Sequence, residues 1–260
     1  MALELASKVT TTDLLKVIGV VALLIDHYGL FYQPDEVWWR LVGRTASPIF
    51  FFLIGFARTR SVPWTWLAFG AALTALNLWS AGGWANPTFN ILLNFAVLRA
   101  VVLPPVAQHV LPRPVPLAML IAGCVLLIPA TDGVLEYGTE GWLWAFLGLA
   151  HRAALEDRGP RTDWTRAGLA LAAAAAYIAR EIHDYGFDGV QSTLLAVGVV
   201  VLTVAFTRFR RQDLGWQPVH PLAAVFRFCG RHSLEIYAMT LFVMQVHGSI
   251  LAAAARRGGP

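Results

Sequence analysis

The stretch LLKVIGVVALLIDHYGLFY, residues 14–32, gives the strongest structural signal in this chain. It is almost entirely apolar, and its length is close to the roughly 20 residues that an α-helix needs to cross a lipid bilayer. Asp26 and His27 interrupt its second half. The stretch therefore predicts a membrane-spanning helix that carries an acid and an imidazole at membrane depth.

Comparable apolar runs recur along the whole chain. They predict further spans at residues 41–57, 64–80, 88–103, 115–130, 139–151, 165–180, 189–206 and 234–253. Residues 219–230 are too short to cross a bilayer alone and predict an interfacial or half-inserted helix. The runs are continuous rather than alternating, which excludes a barrel of strands. The sequence thus predicts an all-α polytopic membrane bundle of about nine to ten transmembrane helices, forming a single domain over residues 1–260.

The composition agrees with a membrane location. Hydrophobic residues make up 57% of the 260 residues and charged residues only 14%, against about 45–50% and 25% in soluble domains. So few charges cannot cover so much apolar surface in water, which excludes a disordered chain, a coiled coil and an ordinary cytosolic enzyme. The net charge of +4 is explained by basic loops beside anionic lipids, and we expect no nucleic-acid partner. Cys124 and Cys229 have no metal-ligand spacing.

Basic residues are distributed unevenly between the two sets of predicted loops. The amino-terminal side holds Lys8, Lys16, Arg58, Arg60, Arg99, Arg113, Arg152, Arg158, Arg161, Arg166, Arg208, Arg210 and Arg211. The opposite side holds Arg40, Arg44 and Arg180. Cytoplasmic loops carry the excess of basic residues, which predicts a cytoplasmic amino terminus in a bacterial-type inner (plasma) membrane. The first span lacks a cleavage signal and is expected to be retained. Arg256 and Arg257 favour an inside carboxyl terminus, so nine and ten spans both stay open.

Polar groups at membrane depth are costly, so each one marks a candidate functional residue. His27 can take and return a proton near neutral pH. Because adjacent helix residues point about 100° apart, Asp26 need not bond the ring of His27. The alternative is a pair with an arginine of a neighbouring segment, for which Arg40 and Arg44 are the candidates. Those two guanidinium groups suit an anion or phosphate clamp, with snorkelling to the outer interface as the alternative. For Asp26 and His27 the alternative is a helix-end pair at the outer interface.

Weaker candidates lie further along the chain. Asn86, Asn90 and Asn94 recur every four residues and predict a polar stripe, which would either line a channel or join helices. Tyr137, with Glu136 and Glu140, precedes the sixth span, and Glu235 and Tyr237 lie at the start of the last one. Arg180 and Asp184 predict a helix-end ion pair rather than a metal site.

The opening DLLKVIGVVALLIDHYGLFY, followed by RLVGRTASPIFFFLIGFA, resembles the opening of the TraX family, polytopic membrane proteins named for conjugal-transfer pilin acetylation. The matching residues are Asp13, Lys16, Asp26, His27, Gly43, Arg44, Pro48 and Phe50. NPTFNILLNFAVL and EYGTEGWLWAFLGL resemble weaker family segments, with Asn90, Tyr137 and Gly138 in register. The stretch RHSLEIY is similar to the end of a wider membrane acyltransferase superfamily.

The resemblance implies an acyl-CoA-dependent acetyltransferase whose site lies inside the membrane. His27 would deprotonate an acceptor amine or hydroxyl, or carry the acetyl group itself, while Asp26 would bias the charge state of the imidazole. Arg44 and Arg40 would hold an anionic part of the donor. The remaining substrate-binding candidates are Asn90 and Asn94, expected to line an acyl or pantetheine channel, and Tyr137, Glu235 and Tyr237.

The expected partners are acetyl-CoA as donor, membrane lipids, and an acceptor that is a pilin-like peptide amino terminus, a glycan or a lipid. No metal is expected, and a homodimer is left open. A proton-coupled transporter of small molecules or lipids, with Asp26 and His27 as a relay, is the first alternative function. The second is an assembly factor without catalysis, in which replacement of His27 would be silent.

Overall fold

The computed structural model describes residues 8–80, 88–156, 163–215 and 221–257. In chain order the helices are α1 (Thr11–Tyr32), α2 (Val37–Gly43), α3 (Ala46–Phe56), α4 (Trp64–Ser80), α5 (Ile91–Val110), α6 (Pro114–Thr131), α7 (Gly138–Leu155), α8 (Asp163–Tyr185), α9 (Gly189–Thr207), α10 (Pro221–Arg231) and α11 (Ser233–Arg257). The only β-structure in these ranges is two isolated bridges. The predicted all-α class is confirmed, and most predicted spans match a helix within a few residues.

Four of the described helices, α1, α5, α6 and α9, are long and apolar enough to cross a membrane. The outward faces of the latter two carry large apolar side chains, such as Leu126 and Val201, exposed to 78% and 63%. Exposed apolar surface of this extent is compatible with lipid and not with water. The chain is therefore an integral membrane protein, and the larger number of about nine to ten crossings stays a prediction.

The predicted second span, residues 41–57, is not one continuous helix. Its start belongs to α2 and the rest to α3, with a break at Arg44 and Thr45. In an unbroken helix the ring of Pro48 would press against the carbonyl group of Arg44, four residues earlier. The break places this proline in the first turn of α3, where proline is tolerated.

Helix α5 is also longer than predicted, because it continues through Pro104 and Pro105 to Val110. These prolines lack the N–H group that a regular helix needs. Wide π-type turns at Leu98–Val102 and Val106–Val110 flank them. Such turns rearrange the backbone hydrogen bonds locally, so that the helix passes the prolines without ending.

The chain forms two compact units. Unit 1 comprises Met1–Ile49 and Phe209–Pro260, and unit 2 comprises Phe50–Arg208. In unit 1, α2, α10 and α11 all pack against α1. In unit 2, α7 packs between α6 and α8, and α4 packs against α5. The expectation of one domain over residues 1–260 stays a prediction.

Asp13 and Lys16 stabilise the start of α1. Thr10 and Asp13 form a capping box, in which the Asp13 carboxylate accepts the Thr10 backbone N–H at 2.9 Å. Lys16 donates from Nζ to the carbonyl oxygen of Gly230 at 2.8 Å. A side chain at position 230 would collide with Asp13. These contacts join α10 closely to the first turns of α1.

Candidate active site

A buried carboxylate joins the first two helices of unit 1. Asp26 on α1 accepts hydrogen bonds from Arg40 Nη1 at Oδ2 (2.7 Å), from Arg44 Nη2 at Oδ2 (2.5 Å) and from Arg44 Nε at Oδ1 (3.1 Å). Arg40 Nη1 also donates to the Asp26 carbonyl oxygen at 3.0 Å. Asp26 and Arg44 are only 5% and 6% exposed. The predicted pairing of Asp26 with these arginines is confirmed.

Local sequence explains why the three charges meet. Arg40 lies on α2, and Arg44 is the residue that caps its end in helical conformation. The two are four residues apart, so both point to the side that packs against α1. Glycines allow the two helices to approach closely at this level. A Cβ atom at Gly43 would collide with Asp26, and one at Gly29 would collide with the Trp39 side chain. The close approach brings both guanidinium groups to the carboxylate.

His27 lies beside this ion cluster on the next position of α1. Its ring is 6% exposed and contacts Phe31 edge-on and Tyr237 of α11, with ring centroids 6.3 and 5.7 Å away. The Nδ1 atom makes no hydrogen bond to any described residue. Buried polar atoms nearly always have a partner, so this nitrogen is a candidate to take a proton from a substrate.

The sequence-predicted residues of α11 differ in their relation to this site. Tyr237 is buried, at 3% exposure, and its ring covers one side of the imidazole. Glu235 is half-buried, and no contact in the described part of the chain links it to Asp26 or His27. The site of unit 1 therefore contains Asp26, His27, Arg40, Arg44 and Tyr237.

Asn90 and Asn94 lie in unit 2 and are completely buried. Asn90 caps α5 by accepting the Leu92 N–H at 3.1 Å. Asn94 donates from Nδ2 to the carbonyl oxygen of Glu136 (2.9 Å) and accepts from Trp142 Nε1 (2.7 Å). The amides thus fasten the loop before α7 to the start of α5.

The predicted asparagine stripe is wrong at its start. Because α5 begins at Ile91, Asn90 is the cap of the helix and not a member of a helical face. Asn86 lies outside the described residues. The observed contacts of Asn90 and Asn94 are structural, and their predicted role along an acyl channel stays a prediction.

Tyr137 has a strained backbone. It is the one non-glycine residue with positive φ in the described ranges, at 63°, and it directly precedes α7. Its ring lies edge-on to Phe51 at 6.2 Å. Left-handed backbone conformations of bulky residues are costly and concentrate at functional positions. This geometry keeps Tyr137 among the candidate residues of unit 2.

Sequence reasoning missed the connections made by one arginine of unit 2. The predicted Arg180–Asp184 pair is confirmed at 3.0 Å, but Arg180 also pairs with Glu140 at 2.8 Å and with Asp132 at 2.5 Å. Glu140 is only 1% exposed. The available signal was Glu140, two residues before the apolar run WLWAFLGLA begins, since a buried acid requires a basic partner. The described residues contain no group of metal-ligating side chains.

The fold and this site define an α-helical integral membrane protein with a histidine beside a buried aspartate–arginine cluster. The chain belongs to the TraX family, because the family model described as "TraX protein" matches residues 11–255. The family resemblance read from the sequence is therefore confirmed.

One relative among curated proteins matches over a short segment. The "Uncharacterized protein RP591" of Rickettsia prowazekii (strain Madrid E) is 42% identical over 50 residues, which is 19% of this chain and 20% of that protein. The match thus spans about a fifth of the relative. No solved structure matches the chain.

Proposed function

We propose that this protein is a membrane acetyltransferase that transfers an acetyl group from acetyl-CoA to an amine or hydroxyl. Membership of the TraX family, which is associated with pilin acetylation, supports the reaction class. The observation that carries the proposal is the buried His27 Nδ1, without a hydrogen bond to a described residue, beside Asp26 and two arginines. This group is suited to accept a proton where water is scarce.

In the proposed reaction, His27 Nδ1 takes a proton from the acceptor N–H or O–H group. The acceptor atom then forms a bond to the thioester carbonyl carbon, the C–S bond breaks, and the leaving thiolate takes the proton back from the imidazolium. In the alternative, the imidazole nitrogen attacks the thioester carbonyl carbon, the C–S bond breaks, and the thiolate leaves as the thiol with the proton of the ring. The acceptor then takes the acetyl group from the acyl-imidazole and returns its own proton to the ring.

The ion cluster supplies an electrostatic contribution. Asp26 neutralises one of the two guanidinium groups, so the three side chains together retain one positive charge. In a site of low dielectric constant, such a charge stabilises negative charge that develops on a thioester oxygen or on the leaving sulfur. Arg40 and Arg44 are accordingly proposed to hold an anionic part of the donor, and Asp26 to fix their positions.

The other candidates have less direct parts in the proposal. Tyr237 would orient the imidazole through its ring contact. Glu235, Tyr137, Asn90 and Asn94 remain proposed for substrate binding. We also propose the inner membrane with a cytoplasmic amino terminus as the location, and a pilin-like peptide, a glycan or a lipid as the acceptor.

The first test is hydrolysis and transfer of radiolabelled acetyl-CoA by the purified protein in nanodiscs. We expect His27→Ala to lower the rate by about 100- to 10,000-fold, the usual contribution of a general base, while acetyl-CoA still binds. His232→Ala is the matched control, because His232 is an exposed histidine of the same unit. Failure of the folded protein to bind acetyl-CoA would overturn the proposal. Proton-dependent uptake without thioester cleavage would favour the transporter instead.

A further inference from the structure

The imidazole of His27 faces α11, the last helix of unit 1, and two pairs of side chains give the direction of that helix. Tyr237 contacts the His27 ring. Further along both helices, the Tyr32 hydroxyl and His247 Nδ1 form a hydrogen bond of 2.9 Å. The helices α1 and α11 are therefore parallel and direct their carboxyl ends to the same end of unit 1. We call it the outer end, because the amino terminus is predicted to face the cytoplasm.

The opposite end of this part of unit 1 is closed by backbone. Lys16 Nζ donates to the carbonyl oxygen of Gly230, in the last turn of α10, at 2.8 Å. Gly230 lies so close to α1 that an added Cβ atom would be 3.0 Å from the Cα atom of Asp13. Rotation of a side chain does not open such a contact. A route to His27 from this end would require α10 to move away from α1.

The outer end is closed by side chains alone among the described contacts of α1 with α11. The ring of Phe31 lies edge-on to the His27 ring, and its Cδ1 atom is 3.3 Å from the position that a Cβ atom would take at Gly248 of α11. Beside it, the rings of Tyr32 and His247 are 5.6 Å apart, and His247 is exposed. Exposed side chains change rotamer within picoseconds to nanoseconds. This end can therefore open without movement of a helix.

The two sides of α1 suit different substrates. Asp26 binds Arg40 and Arg44 on the side of α2, and the proposed function assigns the anionic part of the donor to these arginines. His27 is the next residue, so its side chain points about 100° away, and it contacts α11 instead. The side that faces α11 is thus the one left for the acceptor.

We propose that Phe31, Tyr32 and His247 form a gate through which the acceptor reaches His27 from the outer end of unit 1. The proposal rests on the proposed function, in which His27 takes a proton from an acceptor amine or hydroxyl. In the closed gate, Phe31 covers the imidazole and the Tyr32–His247 hydrogen bond joins α1 to α11. Opening requires this bond to break and the Phe31 ring to rotate. An acceptor that stays in the cytoplasm would not reach the site by this route.

The test is the rate at which diethyl pyrocarbonate modifies the His27 imidazole, measured by mass spectrometry with the protein in phosphatidylcholine nanodiscs. The reagent transfers an ethoxycarbonyl group to the ring nitrogen and needs no acetyl-CoA. His27 should react far more slowly than the exposed His232, which is the reference in the same sample. Tyr32→Phe removes the hydrogen bond of the gate and keeps the ring. It should speed modification of His27 by about 2- to 10-fold, the usual effect of one neutral hydrogen bond.

Two substitutions beside the gate should act in opposite directions. Phe31→Ala removes the cover and should speed modification of His27. Gly248→Leu should slow it, because the new side chain would press against the Phe31 ring. If Gly248→Leu does not fold, Gly248→Ala replaces it, since a single methyl group already comes within 3.3 Å of that ring.

The matched control lies at the other end of α1. Lys16→Gln removes the hydrogen bond to Gly230 and should leave the rate at His27 unchanged. Equal rates at His27 in all folded variants would overturn the proposal. Faster modification in Lys16→Gln than in Tyr32→Phe would also overturn it, because the route would then begin at the opposite end.

Binding and transfer assays connect the gate to the acceptor. Tyr32→Phe should leave the affinity for acetyl-CoA unchanged, and weaker binding of acetyl-CoA in this variant would overturn the assignment of the gate to the acceptor. If gate variants change the modification of His27 but no variant transfers acetyl groups, the proposed function fails while the gated route stands. If transfer occurs and modification is the same in every variant, the gate fails while the proposed function stands.

Discussion

Asp26 is the residue that holds the buried ion cluster of unit 1 together. Its carboxylate is the common acceptor for Arg40 and Arg44, and all three groups are nearly inaccessible to solvent. Removing one member of a buried ion cluster leaves the others desolvated and unpaired, which is far more costly than losing a surface pair. The stability of unit 1 should therefore depend on this one acid.

Asp26→Asn should lower the free energy of unfolding by about 3–5 kcal/mol, because it leaves two buried guanidinium groups with a neutral acceptor. Detergent-induced unfolding of the purified protein measures the change. Asp35→Asn is the control, since Asp35 is exposed in the turn between α1 and α2. Equal effects of the two substitutions would show that the cluster does not stabilise unit 1.

The sequence predicted some of these residues and not others for physical reasons. A charge in an apolar helix must have a partner, so an arginine partner for Asp26 was predictable. Spacing alone suggested a stripe for the asparagines, but asparagine is also a favoured helix cap, and only the start of α5 decides between the two. The Glu140–Arg180 pair was missed because no local pattern connects residues so far apart in the chain.

At the scale of helices, apolar run length predicted nearly every element, because a bilayer fixes the length of its spans. The two differences arise at prolines. Pro48 breaks the second span, whereas Pro104 and Pro105 lie within α5 and do not end it. Run length does not distinguish these outcomes, which depend on whether wider turns and neighbouring groups can satisfy the backbone.

Gly43→Ala should separate α2 from α1, because the added methyl group would overlap the Asp26 side chain. We expect the proposed acetyl transfer to fall at least tenfold. The free energy of unfolding should drop by about 1–3 kcal/mol, as for other overpacked contacts. The activity assay and the unfolding assay above measure both effects.

Gly123→Ala is the matched control for this substitution. Gly123 lies inside α6 with no atom within 4 Å of an added Cβ, so alanine should be neutral or stabilising there by up to about 1 kcal/mol. If Gly43→Ala behaved like this control, close approach of α1 and α2 would not be needed for the site.

The uneven distribution of basic residues between the two sets of loops predicts the orientation of the chain in the membrane. With Cys229 replaced by serine, a cysteine at position 35 should react with a membrane-impermeant maleimide added outside spheroplasts. A cysteine at position 113 should react only after lysis. The reverse pattern would invert the predicted orientation. Cys124 is buried and serves as the unreactive background.

Unit 1 is built from two segments of sequence, with the whole of unit 2 encoded between them. During synthesis, α1 and α2 leave the ribosome together, so Asp26 and its two arginines can enter the membrane as a hairpin that is already paired. The aromatic cover of His27 comes from Tyr237, which is translated only after residues 50–208. The charged side chains of Asp26, Arg40 and Arg44 would thus already be paired when they enter the bilayer. The imidazole of His27 would gain its contact with Tyr237 only when translation has passed α11.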